Sequence, residues 1–277
     1  MSERDETQSG HSAHFEDRKP SDPKRRIYRG ALDILTGSNF PFLVGGAFAL
    51  TFYTGVRRDT KDIDLFILPQ DFERGLNILS QAGFETSRTF PHWLGKASWG
   101  EHQIDIIFSS GNAIGKVDDL WFRHAEDGQI LGAPVKICPV EEMVWSKAFV
   151  MERERYDGAD IQHLLLFRGK NLDWVRLLDR FGVHFRVLLS YLVLFGFVYP
   201  SQRSIIPDAI MNRLLARLRD ESARPAPQER ICQGTLLSKT QYRPDVEQWG
   251  FSDARLRPLG EMSEEEIDRW SAPESKE

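Results

Sequence analysis

"FLVGGAFALTFYTGVRRDTKDIDLFI", Phe42 to Ile67, places a glycine pair after a short apolar run and two aspartates at the head of the next one. The apolar residues of "PFLV" predict a brief buried strand, Gly45-Gly46 a turn, and "AFALTFYTG" a helix stopped by Gly55. In "DIDLFILP" the residues alternate. Ile63, Leu65 and Ile67 share one face of a strand, Asp62, Asp64 and Phe66 share the other, and Pro69 ends it. Residues i and i+2 of a strand point the same way, so Asp62 and Asp64 set two carboxylates side by side, with Lys61 on the opposite face. Adjacent like charges repel, and holding both ionised becomes favourable with a divalent cation between them.

A third carboxylate has the same character. Asp105 lies in "QIDIIF", where the neighbours after Gln103 are apolar, so it is expected to leave a half-buried strand, and a buried carboxylate needs a partner or a metal. Asp62, Asp64 and Asp105 on one sheet face predict a site for Mg²⁺ or Mn²⁺. The glycine turn supplies a complementary half: without side chains before a helix N-terminus, a phosphate can approach backbone N–H groups and the positive end of the helix dipole. A triphosphate is the expected ligand and in-line displacement at phosphorus the expected chemistry.

The surrounding chain predicts a mixed sheet and then helices. "KRRIYRGALDILTG" spaces Ile27, Ala31, Leu32 and Leu35 on one helical face, and "QDFERGLNILSQAGF" carries Phe72, Leu76 and Leu79 on another. "FETSRTF", "HWLGKAS" and "HQIDIIF" read as strands, "VDDLWFRHAED" as a short helix, and "GQILGAPVKICP" as a hairpin turning near Gly132-Ala133. From Pro139 onward the segments "VEEMVWSKAFVMER", "DGADIQHLLLFRG", "LDWVRLLDRFG", "FRVLLSYLVLFGF" and "PDAIMNRLLARLRD" predict helices, followed by a Pro/Ala linker, "ESARPAPQER".

With 277 residues the chain can bury its own core, and a formal net charge of -5 does not favour bulk attraction to nucleic acid. Cys138 and Cys232 lack a CxxC or a paired-histidine context, so neither a disulfide framework nor a zinc site is expected, and the cytoplasm is the expected compartment. The N-terminus has no apolar signal-peptide core. Phe185 to Pro200 is strongly apolar yet shorter than the roughly 18 residues of a membrane span, so a buried helix and no membrane association are expected.

"VGG", "RRDTKDID" and the distant "IDIIF" together resemble the DNA polymerase β-type nucleotidyltransferase superfamily. The run Arg58, Thr60, Asp62, Asp64 looks most similar to its bacterial stand-alone members, among them abortive-infection toxins and small antibiotic nucleotidyltransferases. The resemblance covers about residues 42 to 166. It implies an α+β fold, a mixed sheet flanked by helices followed by a mainly helical C-terminal domain. It also implies that Asp62 and Asp64 bind both metal ions, that Asp105 binds the catalytic metal and helps deprotonate the acceptor, and that Gly45-Gly46 hold the phosphates. Arg58, Thr60 and Lys147 complete the implied nucleotide site, and "RYDGAD", Arg155 to Asp160, resembles the run that follows that lysine. Many members carry Gly-Ser where this chain has Gly45-Gly46, which removes a hydroxyl contact to phosphate.

The expected organisation is a disordered tail over 1–24, a nucleotidyltransferase domain over 25–138, a helical domain over 139–260 and a flexible acidic tail over 261–277. The expected donor is a nucleoside triphosphate, ATP foremost. The acceptor is left open among RNA, protein and small molecules, and a cognate partner protein fits the toxin-like resemblance. A non-catalytic module of the same fold, antitoxin-like or regulatory, is the alternative; a different metal-dependent phosphoryl enzyme is less favoured because of the glycine turn. Plainer roles stand beside these. Arg58 could pair with Asp59 or Asp62, Thr60 could simply lead into the strand, Lys147 could be a solvated surface lysine, and Arg155, Asp157 and Asp160 could brace a helix start. His92 and His102 could line a substrate cleft, Arg213 and Arg217 could form a solvated helix face, and Trp93, Trp99 and Trp121 could be core.

Overall fold

A computed structural model of the chain describes residues 22–272. Helix α1, Pro23–Gly37, starts on an Asp22 cap whose carboxylate accepts from the Lys24 amide, with proline in its first turn. Then come β1, Leu43–Val44; α2, Gly46–Thr54; β2, Asp62–Phe66; α3, Phe72–Gln81; and three strands joined by tight turns, β3, Glu85–Phe90, β4, Leu94–Trp99, and β5, His102–Ile107. A short α4, Asp119–Arg123, leads into the hairpin β6, Glu126–Ile130, and β7, Ala133–Ile137. These strands form a seven-stranded mixed sheet in the order β3-β4-β5-β2-β1-β7-β6, parallel between β2 and β5 and between β1 and β7.

The remaining chain is mostly helical: α5, Val140–Ala148; α6, Gly158–Arg168; α7, Trp174–Phe181; α8, Phe185–Val198; and α9, Asp208–Ser222. A small parallel pair, β8, Ile231–Cys232, and β9, Ser252–Asp253, flanks α10, Arg243–Glu247, and α11, Glu264–Ser271, follows. The architecture is the expected α+β class, a mixed sheet flanked by helices with a helical C-terminal portion. One continuous buried cluster runs from Ile63, Leu65 and Ile104 in the sheet to Leu164, Leu177 and Phe195 in the helices, crossing the expected boundary at 138/139.

Three expectations meet a different outcome. The terminus from Glu261, expected to be loose, holds α11, because Ser263 and Glu266 form a reciprocal capping box and Trp270 seats against Gly111. The helical run Trp174–Val198 is long and apolar enough to cross a membrane by length and composition, because α7 extends the apolar segment seen in sequence. In the fold it bends at Gly182, φ +45°, into two helices, and Leu177, Phe181, Leu188, Leu192 and Phe195 are buried in the helical core. Of the tail expected over 1–24, residues 1–21 lie outside the described residues, while Pro23 and Lys24 are already helical.

Candidate active site

The strand pairing brings the acidic residues together. β1 runs antiparallel to β2 with Val44 opposite Leu65, so the Gly45 amide donates to the Asp64 carbonyl at 2.9 Å and the glycine pair lies against that residue. Gly46 has φ +54°, and a Cβ there would overlap Asp64 Oδ2; at Gly45 a Cβ would strike the Phe66 ring. The chain therefore needs glycine at both positions for close approach, and at Gly46 also for its left-handed backbone. The close approach sets the Asp64 carboxylate at the start of α2, where the first-turn amides have no partner within the helix.

β2 and β5 pair in parallel with Asp64 directly opposite Asp105 and Asp62 opposite Gln103. Residues facing each other across a ladder point to the same side, so Asp64 and Asp105 form a carboxylate pair, with Asp62 one step along the strand. Lys96 on β4 is opposite Asp105, and its ammonium donates to Gln103 Oε1 at 3.0 Å. Asp62 is oriented from the preceding loop: Thr60 Oγ1 donates to Asp62 Oδ1 at 2.8 Å, so Thr60 does more than lead into the strand. That loop is held by α1, through Tyr28 donating to the Lys61 carbonyl at 2.8 Å and Lys24 to the Thr60 carbonyl.

The electrostatics follow from this crowding. Burial, then the negative charge of Asp62, pushes the Asp64 carboxyl up to about 6, against the pull of Lys147 and Arg155. Burial, then Asp64, pushes Asp105 up to about 7, with Lys96 opposing. Asp105 Oδ1 is buried and has no hydrogen-bond partner. Burial and the three carboxylates also raise the Tyr28 phenol. Two half-buried acids whose ionisation is suppressed by burial and by a neighbouring carboxylate, one with an orphaned oxygen, have the oxygen chemistry and charge that suit a hard divalent cation. Among the described residues, no group of three or more His, Cys, Asp or Glu side chains is already arranged to hold a metal ion.

A second charged cluster flanks the first; its members were named from the sequence, but their pairing with one another was not. Lys147, near the end of α5, is not a solvated surface lysine: its side chain is 14% exposed and its ammonium donates to Asp157 Oδ2 and Asp160 Oδ2, both at 2.9 Å. Arg58 pairs with neither Asp59 nor Asp62; it reaches Asp160 Oδ1 at 2.5 Å, tying the loop before β2 to the start of α6. Arg155 donates to both oxygens of Asp157. Burial works against the ionised Asp157 carboxylate, yet Lys147 and Arg155 outweigh it and hold the group below its ordinary value. Asp157 caps α6 without a side-chain hydrogen bond to the helix, so the carboxylates expected to brace that helix serve Lys147 instead. Their spacing of three residues at a helix start was the available signal, since it puts both on one side of the helix.

Other residues singled out in sequence lie elsewhere or serve the packing. His92 Nε2 bonds the Gly111 carbonyl at 3.0 Å and its ring meets Trp270 edge-on, while His102 lies edge-on to Tyr28. Trp121 is fully buried and stacks on Phe66, Trp93 stacks on Phe90, and Trp99 is partly exposed beside Phe84. Arg213 and Arg217 line a small cavity between α7 and α9, and Arg217 is committed to the Gly182 carbonyl at 2.8 Å.

No protein-family description matches the chain, and no curated protein matches it. Solved structures with a similar fold exist. The antibiotic-resistance factor ANT(2'')-Ia is 16% identical, with a TM-score of 0.40 over 73% of this chain and 98% of its own. The lincosamide antibiotic adenylyltransferase LnuA, bound to lincomycin, is 16% identical, with a TM-score of 0.38 over 52% of this chain and 96% of its own. An antigenic nucleotidyltransferase-like protein from Paracoccidioides brasiliensis is 15% identical, with a TM-score of 0.40 over 67% of this chain and 92% of its own. At TM-scores of 0.40 or less, the residues of the cleft alone carry the functional reading.

Proposed function

We propose that the chain is a metal-dependent nucleotidyltransferase that moves a nucleoside monophosphate from a nucleoside triphosphate to an acceptor hydroxyl or phosphate. The observation that carries this reading is the pairing of Asp64 with Asp105 across parallel strands, with Gly46 pressed so close to Asp64 that no side chain fits between them. That contact sets a phosphate-accepting helix start beside a pair of acids whose nearby cations do not outweigh their burial.

In this reading the first-turn amides of α2 receive the phosphates, and Asp62, Asp64 and Asp105 would hold Mg²⁺ or Mn²⁺, which supplies charge neutralisation at the phosphoryl oxygens. Asp105, whose Oδ1 is buried without a hydrogen-bond partner, is the carboxylate assigned to take the acceptor's proton. The acceptor O–H gives its proton to the Asp105 carboxylate as its oxygen bonds to the α-phosphorus, and the bond from that phosphorus to the bridging oxygen breaks to release pyrophosphate. Two of the three N–H donors of Lys147 are engaged by Asp157 and Asp160, which leaves one for a phosphate oxygen. Thr60 holds Asp62 in orientation, and Arg58 is a phosphate contact that would exchange with Asp160.

A non-catalytic nucleotide-binding module is the second reading, favoured by the absence, among the described residues, of a ready-made three-ligand group. Label transfer from each α-³²P nucleoside triphosphate into fractionated lysate, with Mg²⁺ or Mn²⁺, separates the two. Transfer into one fraction by the wild type and not by Asp64→Asn is the expected result. Binding of nucleotide and metal without transfer to RNA, protein or small molecules would favour the module.

A further inference from the structure

β4 and β5 each bury one face and open the other. Along β4, Gly95 and Ala97 are buried while Lys96 and Ser98 are partly exposed; along β5, Ile104 and Ile106 are buried while Asp105 is partly exposed and Gln103 is exposed. The register sets Lys96 opposite Asp105 on one side and opposite Ser87 of β3 on the other. Residues opposite each other across a ladder share a face, so Asp64, Asp105, Lys96 and Ser87 form one row across β2, β5, β4 and β3, on the open side of the sheet. The Lys96 ammonium lies on that side, where it donates to Gln103 Oε1 at 3.0 Å.

The cations around the acids differ in what they face. Lys147 is held by Asp157 and Asp160, Arg58 by Asp160, and Arg155 by Asp157. Lys96 is bonded to a neutral amide on an exposed side chain, and among the described residues it is in no ion pair. Two of its three N–H donors stay available. The hydroxyls beside it are engaged only at 3.4 Å, Ser87 with Thr89 Oγ1 and Ser98 with the Glu85 carbonyl.

The row has a direction. At its β2 end Gly46 presses the start of α2 against Asp64, the place assigned above to the phosphates of the triphosphate. Lys96 stands toward the other end, one strand beyond Asp105 and so about 5 Å further across the sheet. In-line displacement puts the attacking and leaving oxygens on opposite sides of the phosphorus, so with pyrophosphate leaving on the α2 side the acceptor lies on the Asp105 side. An acceptor whose hydroxyl is at Asp105 extends over β4 and β3, where Lys96, Ser98 and Ser87 face it.

We propose that Lys96 is the specificity-determining residue of the acceptor site and that the acceptor carries a phosphate next to its attacking hydroxyl, an inference that rests on the nucleotidyltransferase reading of the same cleft. The free N–H donors of Lys96 hold that phosphate in charge-assisted hydrogen bonds, and the Ser87 and Ser98 hydroxyls serve its remaining oxygens. A cationic group at the same place is repelled, which excludes polyamine-like acceptors. The phosphate belongs either to a phosphorylated small molecule or to a polynucleotide end, and the chemistry at Lys96 is the same for both.

The test is equilibrium binding to wild type, Lys96→Gln and Lys96→Arg with the donor site filled by Mn²⁺ and α,β-methylene-ATP, which cannot release pyrophosphate. The probes are ribose 5-phosphate against ribose, and a short oligouridylate against a peptide nucleic acid of the same bases, whose backbone is neutral. The expected result is one phosphate probe bound about tenfold more tightly than its neutral counterpart by wild type and Lys96→Arg, with the preference lost in Lys96→Gln and methylene-ATP binding unchanged in all three. Preference for ribose 5-phosphate supports a phosphorylated small molecule as the source, and preference for the oligouridylate a polynucleotide end. No preference in the wild type, or one that survives in Lys96→Gln, would overturn the inference. Weaker methylene-ATP binding in Lys96→Gln would also overturn it, because the ammonium would then serve the donor or the acid pair. A wild type that does not bind methylene-ATP with Mn²⁺ overturns the parent reading and the acceptor site with it.

Discussion

Replacing Asp105 with asparagine tests the electrostatic account of the cleft without requiring a substrate. The carboxyl is pushed from 3.8 up to about 7, first by burial and next by Asp64. Between those values the folded protein holds a proton that the unfolded chain has released, so stability is greatest in acid and falls as pH rises through about 7. The gap corresponds to roughly 4 kcal/mol at pH 8 for an isolated group. Part of the shift comes from Asp64 and not from burial, and an asparagine amide leaves polar atoms of its own to satisfy, so about 2 kcal/mol is the expected gain for Asp105→Asn. In a domain of this size that is roughly 4–8 °C in melting temperature.

The assay is thermal unfolding at pH 5 and pH 8, with and without Mn²⁺. Without metal, the variant should melt above the wild type at pH 8 and close to it at pH 5. With Mn²⁺ at about 100 times its dissociation constant, the wild type should gain roughly 2.7 kcal/mol, and the variant much less. A variant that melts below the wild type at both pH values, or that gains as much from Mn²⁺, would refute the idea that Asp105 is an unpartnered acid awaiting a cation.

Two further substitutions probe the two halves of the site. Gly46→Ala puts a methyl group into the space of Asp64 Oδ2 at φ +54°, so a loss of about 1–2 kcal/mol from the backbone alone is expected, together with failure to bind tripolyphosphate; full binding would show that the close contact is dispensable. Lys147→Met keeps the length of the side chain but leaves Asp157 and Asp160 buried with one cation fewer, and a cost of about 3–5 kcal/mol is expected in chemical denaturation at pH 8, shrinking toward pH 3 as the Asp157 carboxyl, held below its ordinary value by Lys147 and Arg155, takes up its proton. A cost that is the same at both pH values would mean that packing, and not charge, is what Lys147 contributes.

The two halves of the cleft differ in how far they could be read from the residues in order. The alternation of Ile63, Leu65 and Ile67 against Asp62 and Asp64 is a local property of a strand, and Gly55 stops α2 in the left-handed backbone that its residue type permits. Such patterns need only the covalent chain and its immediate neighbours. The capping box of α11 was equally local, spelled by Ser263 and Glu266, but the acidic run around it reads as a solvated tail until Trp270 is seen against Gly111.

By itself, then, the sequence determined the strand–glycine turn–helix–acidic strand unit and the likeness of its three aspartates, because apolar period and glycine spacing act over a few residues. Only the tertiary structure decided that Asp105 stands opposite Asp64 and not one residue out of step, since register is set by pairing between strands far apart in the chain. It also decided that Lys147 and Arg58 meet at Asp160, and that Tyr156 stacks on Tyr191. A charge finds its partner, and a ring its neighbours, through the packing of α2, α5 and α6, which no local spacing encodes.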